Sequence, residues 1–221
     1  MRDGQGFLIY GHRGSPRLQK ENTLASFEEA LRGGADGFET DLRLLQDGTT
    51  ILFHDDEVRG KAVESLTAAD LARRGYRVQP LRDLAGFVGR ARMVLEVKRG
   101  GWEQRLIEEV GAWSDIVVAS FDHAMIGELA RRKAPFPLGI TFSAVLADLP
   151  AYARRLGASW CYPDFRRVDA ALVASLHDAG IAVVPWTVNR RRDWDRMRQT
   201  GCDGIITDVP AKAVAWRDGA A

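Results

Sequence analysis

Two histidines, three carboxylates and a lysine end or interrupt short apolar runs in the first half of the chain: His12, Glu39, Asp41, His54, Glu96 and Lys98. Three carboxylates that converge in a partly buried place would repel one another, and some would take up protons. A hard divalent cation removes this conflict, and oxygen-only ligands favour Mg²⁺ or Ca²⁺ over zinc. We therefore predict that Glu39, Asp41 and Glu96 hold a divalent metal ion.

The two histidines add groups that exchange protons. Histidine titrates near neutral pH, so one ring can take a proton from an attacking oxygen while another gives one to a leaving oxygen. Arg13 and Lys98 provide positive charge for an anionic substrate. Together with a 2+ ion, three carboxylates and a singly charged phosphodiester, these two cations sum to about zero charge. The set is suited to phosphodiester hydrolysis, with His12 and His54 as the acid–base pair.

Strand geometry sharpens this hypothesis, because side chains two positions apart share a face. Glu39 and Asp41 therefore lie on one face of their strand, as do Glu96 and Lys98 on theirs. Taken singly, an acidic residue at a strand end is usually solvated, a lone histidine is usually structural, and Glu96 with Lys98 could be a surface ion pair. Their joint position at matching ends of adjacent strands favours a site.

Other polar combinations are weaker. Ser120, Asp122 and His123 stand too close in sequence for the usual hydrogen-bonded triad. His123 and His177 fall in predicted helices, where we expect surface or packing roles. The chain has no phosphate-binding loop of the GxxxxGK type, no dinucleotide glycine fingerprint and no HExxH zinc motif.

The elements that must position these residues alternate between short apolar runs and amphipathic stretches. Eight strands are predicted at Phe7–Tyr10, Gly37–Leu42, Met93–Val97, Ile116–Ser120, Phe136–Thr141, Ser159–Tyr162, Ile181–Trp186 and Gly204–Thr207. Helical patterns lie at Leu24–Leu31 and at about 102–112, 122–132, 145–156, 169–179 and 190–199. Such alternation indicates a parallel sheet with right-handed crossovers. We predict an α/β fold, a (β/α)8 TIM barrel with a short insertion after the second strand.

The irregular part of the chain is residues 55–91. A hairpin return at Thr50–Phe53 precedes it, and short helices are predicted at Ser65–Arg74 and Leu81–Val88. We expect a small insertion over the barrel mouth, where the active sites of such barrels lie. Because no linker or composition break divides the sequence, we expect one domain over residues 1–221.

The composition excludes several classes of protein. Lys plus Arg number 31 and Asp plus Glu 30, which gives no support for nucleic-acid binding. Cys161 and Cys202 do not form a CxxC motif, so neither a disulfide framework nor structural zinc is expected. The polar stretch 1–6 and the brief apolar run 7–10 do not make a signal peptide, and no run reaches a membrane-spanning length. We expect a cytoplasmic protein of unknown oligomeric state.

An ordered series of motifs along nearly the whole chain resembles the glycerophosphodiester phosphodiesterase family. It comprises Gly11-His12-Arg13-Gly14, Glu21-Asn22-Thr23, Ala35-Asp36-Gly37-Phe38-Glu39-Thr40-Asp41, Asp47-Gly48, His54-Asp55, Glu96-Val97-Lys98, Ser120-Phe121-Asp122, Trp186-Thr187-Val188-Asn189 and Gly204-Ile205-Ile206-Thr207-Asp208-Val209-Pro210. Each motif is weak alone, but their order is specific.

The resemblance implies a TIM-barrel hydrolase that releases glycerol 3-phosphate and an alcohol. It implies that His12 and His54 are the acid–base pair, that Glu39, Asp41 and Glu96 hold the metal, and that Arg13 and Lys98 bind the phosphate. Trp186 matches a tryptophan that walls the substrate pocket, although a core position is equally compatible with the sequence.

The substrate is less well defined than the reaction. Relatives in this family commonly carry a longer insertion after the His-Asp pair, whereas this chain continues with Glu57-Val58-Arg59-Gly60-Lys61. The lead hypothesis is a small-molecule glycerophosphodiester, and the alternative is a lysophospholipase D-type phosphodiesterase acting on lysophospholipids. An apolar groove beside the site would favour the alternative, with Phe121, Phe142, Trp160 and Trp186 as candidates. A non-catalytic phosphodiester-binding barrel is disfavoured, since a binder has no need of two proton carriers.

Overall fold

Eight parallel strands form a closed ring in the computed structural model, which describes residues 6–219. They are β1 Leu8–His12, β2 Gly37–Leu44, β3 Arg92–Val97, β4 Ile116–Ser120, β5 Leu138–Phe142, β6 Trp160–Pro163, β7 Ala182–Val183 and β8 Gly204–Thr207. Neighbours along the chain are neighbours in the sheet, and β1 also pairs with β8. Hydrogen bonds from Asp203 N to Val183 O and from Ile206 N to Pro185 O close the ring between β7 and β8. The predicted TIM barrel is confirmed.

Helices surround the ring, at least one after each strand. The α-helices are α1 Leu24–Arg32, α2 Ala68–Arg73, α3 Glu103–Val110, α4 His123–Arg131, α5 Leu149–Arg155, α6 Ala170–Asp178, α7 Arg191–Thr200 and α8 Pro210–Arg217. Side-chain caps from Thr23, Asp122 and Asp169 satisfy backbone N–H groups at the starts of α1, α4 and α6. No helix within residues 6–219 is long and apolar enough to cross a membrane.

Two apolar layers follow from the alternation of side chains along each strand. Outward residues pack under the helices in the main core, and inward residues fill the barrel. The inward set consists of Leu8, Tyr10, Val94, Val117, Ala119, Tyr162, Val184 and Ile206. A cavity lies above this packed floor, at the carboxyl ends of the strands, where the polar residues of β1, β2 and β3 lie.

The seventh strand and the fifth helix are shorter than predicted. Regular pairing in β7 covers Ala182–Val183, while the prediction ran from Ile181 to Trp186. Single hydrogen bonds to β6 continue beyond it, from Val184 N to Cys161 O and from Trp186 N to Pro163 O, while Pro185 between them has no N–H to donate. The helix predicted over 145–156 begins at Leu149, because Asp148 adopts a left-handed conformation with φ 50° and Pro150 favours the first helical turn.

The segment 55–91 divides into two parts. Its first part follows the return strand Thr50–Leu52, which pairs antiparallel with β2, and contains the short hairpin Glu57–Val58 and Lys61–Ala62, the 3-10 helix Val63–Ser65 and α2. Their apolar side chains form a separate cluster with the return strand: Leu45, Ile51, Val58, Val63, Leu66 and Leu71. This part lies beside the end of β2. Within residues 55–91, no side chain lines the cavity at the barrel mouth. The expected position over the mouth stays a prediction.

The second part of this segment completes the outer layer. Gln79–Pro80 pairs with the return strand, and the 3-10 helix Leu81–Phe87 follows it. Leu81, Leu84 and Phe87 join the main core, and the Phe87 ring packs edge-on against Phe27 of α1 and Phe38 of β2. This 3-10 helix therefore occupies the position of the second outer helix.

We predict that Phe87→Ala destabilises the barrel, because the side chain is only 3% exposed and its removal leaves a cavity between β2 and α1. The free energy of unfolding should fall by about 3–5 kcal/mol, measured by urea denaturation. Val145→Ala, at a side chain that is 79% exposed, is the control and should change it by less than about 0.5 kcal/mol. Equal stability of the two variants would contradict a core role for the 3-10 helix.

Candidate active site

The three predicted carboxylates converge at the mouth of the barrel. Asp41 of β2 and Glu96 of β3 are direct cross-strand partners, and Glu39 lies opposite His12 of β1. One oxygen of each carboxylate lies within 4.8 Å of the other two. All three residues are at most 9% exposed. The parallel register of β1, β2 and β3 alone brings these side chains together.

Two cations partly balance this negative charge. Lys98 Nζ lies 2.7 Å from Asp41 Oδ1 and also bonds Glu96, and Arg13 Nε lies 3.2 Å from Asp41 Oδ2. Burial tends to raise the pKa of Asp41, but Lys98 and Arg13 outweigh it and lower that pKa. For Glu39, burial and the charge of Asp41 raise the pKa to about 8. Burial, which outweighs Lys98, also raises the pKa of Glu96, so Glu39 and Glu96 hold their negative charge less readily than Asp41.

The cluster fits a hard divalent cation. It offers three carboxylates against the two cations Lys98 and Arg13, so negative charge remains, and burial together with the charge of Asp41 disfavours the ionised form of Glu39. The three converging ligands provide oxygen atoms only, which suits Mg²⁺ or Ca²⁺.

The loop after β1 holds the carboxylates in place. Arg13 N donates to Glu39 Oε2 at 3.0 Å, and Asn22 Nδ2 donates to Asp41 Oδ2 at 2.8 Å. Both Arg13 and Asn22 adopt left-handed conformations, with φ 53° and φ 55°. Gly14, at φ 91°, lies so close to α1 that an added Cβ would sit 2.4 Å from Ser26 Oγ. The Gly-His-Arg-Gly motif is therefore a turn that aims backbone and side-chain donors at the cluster.

His12 is oriented by a carboxylate that directly follows the last strand. Its Nδ1 lies 2.7 Å from Asp208 Oδ1, and its Nε2 lies 4.0 Å from Glu39 Oε2. Asn189 Nδ2 donates to Asp208 Oδ2 at 2.7 Å, while Asp208 N donates to Asn189 Oδ1. Burial tends to lower the pKa of His12, but Asp208 and Glu39 outweigh it and raise that pKa. The arrangement directs Nε2 toward the cavity with Nδ1–H bonded to Asp208.

His54 and Trp186 reach the same cavity from other elements. The cavity has a volume of about 200 Å³, and its lining includes His12, Arg13, Glu39, Asp41, His54, Glu96, Lys98, Phe121, Thr141, Tyr162 and Trp186. His54 is 38% exposed at the rim, with Nδ1 3.0 Å from Asp55 Oδ1. All eight residues predicted for the site from the sequence therefore line one cavity.

Fewer aromatic side chains line the cavity than the four that the sequence offered as candidates for an apolar groove. Phe121 and Trp186 meet edge to face, with ring centroids 5.5 Å apart, and Trp186 Nε1 donates to Tyr162 O. Phe142 instead packs in the main core, and Trp160 stacks on Tyr162 inside the barrel. Only two of the four candidate groove residues thus line the cavity.

The remaining polar candidates have structural roles, in agreement with the sequence analysis. Ser120 Oγ donates to Val97 O and accepts from Asp122 N, and Asp122 caps α4. His123 bonds Tyr152 and Thr141 O, and His177 bonds Asp203 at 2.8 Å. Ser120, Asp122 and His123 do not form a relay.

Sequence reasoning gave no individual role to Asp208, Asn189 or Asn22, which orient His12 and Asp41. The available signal was their place within the motifs Glu21-Asn22-Thr23, Trp186-Thr187-Val188-Asn189 and Thr207-Asp208-Val209. An asparagine at a loop position is otherwise too common to single out.

The chain has relatives along most of its length. Residues 12–85 and 89–212 match the Glycerophosphoryl diester phosphodiesterase family. The chain therefore belongs to this family of phosphodiester hydrolases and is an enzyme of that class.

Individual relatives and structures agree with this membership. A glycerophosphodiester phosphodiesterase of Caldanaerobacter subterraneus subsp. tengcongensis is 28% identical over 229 residues, which cover 92% of this chain and 94% of the relative. One from Bacillus altitudinis is 26% identical, covering 95% and 98%. The structure of an Oleispira antarctica phosphodiesterase in complex with the product sn-glycerol-3-phosphate has a TM-score of 0.84 at 22% identity, covering 96% of each chain. That structural likeness supports the fold.

We predict that Mg²⁺ or Ca²⁺ stabilises the protein, and more strongly at higher pH. The pKa of Glu39 is raised to about 8, so below that pH a cation must displace its proton and binds less tightly. At a cation concentration of 100 times Kd, the gain is about 2.7 kcal/mol. Melting temperatures with and without cation, measured from pH 6 to 9, test this.

Glu39→Gln and Asp41→Asn should reduce the cation-dependent rise in melting temperature. Glu109→Gln, at a carboxylate on α3 remote from the cluster, should retain it. A rise that persists unchanged in both cluster variants would exclude these carboxylates as the ligands.

Proposed function

We propose that this chain hydrolyses glycerophosphodiesters, such as glycerophosphocholine or glycerophosphoethanolamine, to glycerol 3-phosphate and an alcohol. The observation that carries this proposal is the meeting of three carboxylates, two histidines, Arg13 and Lys98 in one cavity. The relatives named glycerophosphodiester phosphodiesterases, and the product complex of the Oleispira antarctica protein, support this substrate class.

Glu39, Asp41 and Glu96 would hold Mg²⁺ or Ca²⁺. Such an ion, when bound, stabilises negative charge that grows on the phosphoryl oxygens. Arg13 and Lys98, already fixed by ion pairs to Asp41, place positive charge at the same end of the cavity. They would attract the anionic phosphodiester and help to stabilise its transition state.

His12 and His54 would divide the proton transfers. Hydrolysis consumes one water: the bond from phosphorus to the alcohol oxygen breaks, one proton leaves the attacking oxygen and one reaches the departing alcohol. His12 is prepared for such a role because Asp208 holds Nδ1 at 2.7 Å and stabilises the imidazolium. His54 lies at the rim, where its ring can contact a substrate entering from solvent.

A lysophospholipase D-type activity is the second candidate. Phe121, 46% exposed, packs on Trp186 and gives the cavity an apolar wall that an acyl chain could contact. A lysophospholipid presents the same phosphodiester to the charged groups, so the two candidates differ only in what lies along this wall.

The wider expectations from the sequence stay proposals. These are a single domain over residues 1–221, whose ends lie outside the described residues, a cytoplasmic location and a small-molecule substrate rather than nucleic acid.

We predict that the purified protein with Mg²⁺ or Ca²⁺ releases glycerol 3-phosphate from glycerophosphocholine, and that thorough chelation abolishes this activity until a divalent ion is returned. Enzymatic measurement of glycerol 3-phosphate provides the assay. A parallel reaction with lysophosphatidylcholine, scored as lysophosphatidic acid, tests the second candidate. Faster turnover of the lysophospholipid, with its loss in Phe121→Ala, would make the second candidate the correct one. No turnover of either substrate with any metal would overturn the enzyme assignment for these substrates.

We predict that His12→Ala and His54→Ala each lower kcat by about 10²–10⁴-fold, the usual contribution of a positioned acid or base. Steady-state kinetics on glycerophosphocholine measure this. His177→Ala is the matched control, since His177 bonds Asp203 away from the cavity, and its kcat should stay near the wild-type value. A variant at His12 or His54 with near wild-type kcat would remove that histidine from the mechanism.

A further inference from the structure

Arg43 is a buried cation that the proposed reaction does not use. It lies on β2 two residues after Asp41, with its side chain only 3% exposed. A buried guanidinium is costly unless its charge and its N–H groups are satisfied. Arg43 therefore requires fixed partners, and those partners indicate what it does.

The side chain of Arg43 bonds groups that follow the return strand Thr50–Leu52. Nη2 donates to His54 O at 2.8 Å, and Nε also approaches this oxygen, at 3.3 Å. Nη1 bonds the carboxylate of Glu64, and Nη2 bonds that of Asp56. One guanidinium thus holds the backbone of His54 and two carboxylates of the segment that follows it.

The segment that supplies these carboxylates has its own apolar support. Val63 N donates to Asp56 O at 3.0 Å, and Val58 and Val63 are buried in the cluster beside β2. Glu64 belongs to the 3-10 helix Val63–Ser65, so its position is set by that packing. The packed segment therefore holds the Arg43 guanidinium through Glu64 and Asp56, and the guanidinium in turn restrains those two carboxylates.

His54 has few other attachments. Its neighbour Phe53 donates its N–H to Asp41 O at 3.0 Å, whereas the His54 ring is bonded, among residues 6–219, to Asp55, whose side chain is 68% exposed. The hydrogen bonds from Arg43 to His54 O are thus a main restraint on where this rim histidine lies. Loss of a restraint of this kind allows shifts of a catalytic group that reduce rate.

We propose that Arg43 is a positioning residue for His54, and that the segment 56–66 beside β2 supports the active site through Arg43. This inference rests on the proposed role of His54 in proton transfer. The competing explanation is that Arg43 only stabilises the segment, in which case its loss would affect the protein without regard to His54.

A double-mutant cycle separates these explanations. Arg43→Gln should lower kcat on glycerophosphocholine by about 10- to 10²-fold, with KM changed by less than about threefold, because the charged groups that bind the phosphate remain. In a His54→Ala background, the same change should lower kcat by less than about twofold, since there is no ring left to position. The same factor in both backgrounds would refute positioning. Arg105→Gln, at an exposed arginine paired with Glu109, is the matched control and should leave kcat unchanged.

A second readout does not depend on turnover. The chain has four histidines, so their ring signals can be assigned by NMR with labelled histidine and single His→Ala variants. Arg43→Gln should shift or broaden the signal of His54 and leave those of His123 and His177 in place. An unchanged His54 signal would overturn the proposal, whether or not the enzyme is active. If wild-type protein shows no turnover, the proposed function fails and this measurement alone decides the role of Arg43.

Arg43→Lys provides the variant most compatible with folding, because it keeps the buried charge and loses the planar fork. It should perturb the His54 signal and kcat in the same direction, with melting temperature and circular dichroism as checks on the fold. A folded Arg43→Lys protein with wild-type kcat and an unchanged His54 signal would likewise refute the proposal.

Discussion

Electrostatic repulsion among three buried carboxylates is the constraint on which the site depends. Asp41 and Glu96 face each other across β2 and β3, and Glu39 lies one inward position before Asp41 on the same strand. Water screens such charges poorly at this depth, so each carboxylate needs a donor or a cation. Lys98, Arg13 and Asn22 meet part of that need for Asp41, and the backbone N–H of Arg13 meets part of it for Glu39. The left-handed backbone conformations of Arg13 and Asn22 place these donors against Glu39 and Asp41.

The two histidines of the cavity, His12 and His54, depend on different parts of the fold. His12 on β1 bonds Asp208, which directly follows β8. The pairing of β1 with β8, which closes the barrel, therefore orients the imidazole of His12. His54 follows the return strand and depends on contacts with β2 and with the segment beside it. A disturbance of the barrel seam would therefore act on His12, and a disturbance of that segment would act on His54. Under the proposed function, these are two separate proton carriers.

Much of the fold could be predicted from the sequence because burial on both faces gives parallel strands continuous apolar runs. The positions of the clustered carboxylates were also predictable, since charged residues such as Glu39 and Glu96 interrupt runs in which charge is costly. The His12–Asp208 contact joins residues 196 positions apart and exists only once the ring closes. The contact of Arg43 with Glu64 depends on how the segment folds, and that segment carries no strong periodicity from which to place it. Short-range sequence patterns predicted where the strands and the charged residues lie. The hydrogen-bond partners of those charged residues were determined by long-range contacts that form when the barrel closes.

The cavity has a charged side and an aromatic side, and this division bears on substrate selectivity. Groups from β1, β2 and β3 and the loops after them line the charged side, while Phe121 follows β4 and Trp186 follows β7 on the aromatic side. Under the proposed function, the charged side fixes the phosphodiester, which every substrate of the class shares. The aromatic side then contacts the organic groups, and apolar contacts discriminate weakly, by about 10- to 200-fold for one methylene. The alcohol can therefore vary more than the phosphodiester, because the strong and directional interactions all act on the group that does not vary.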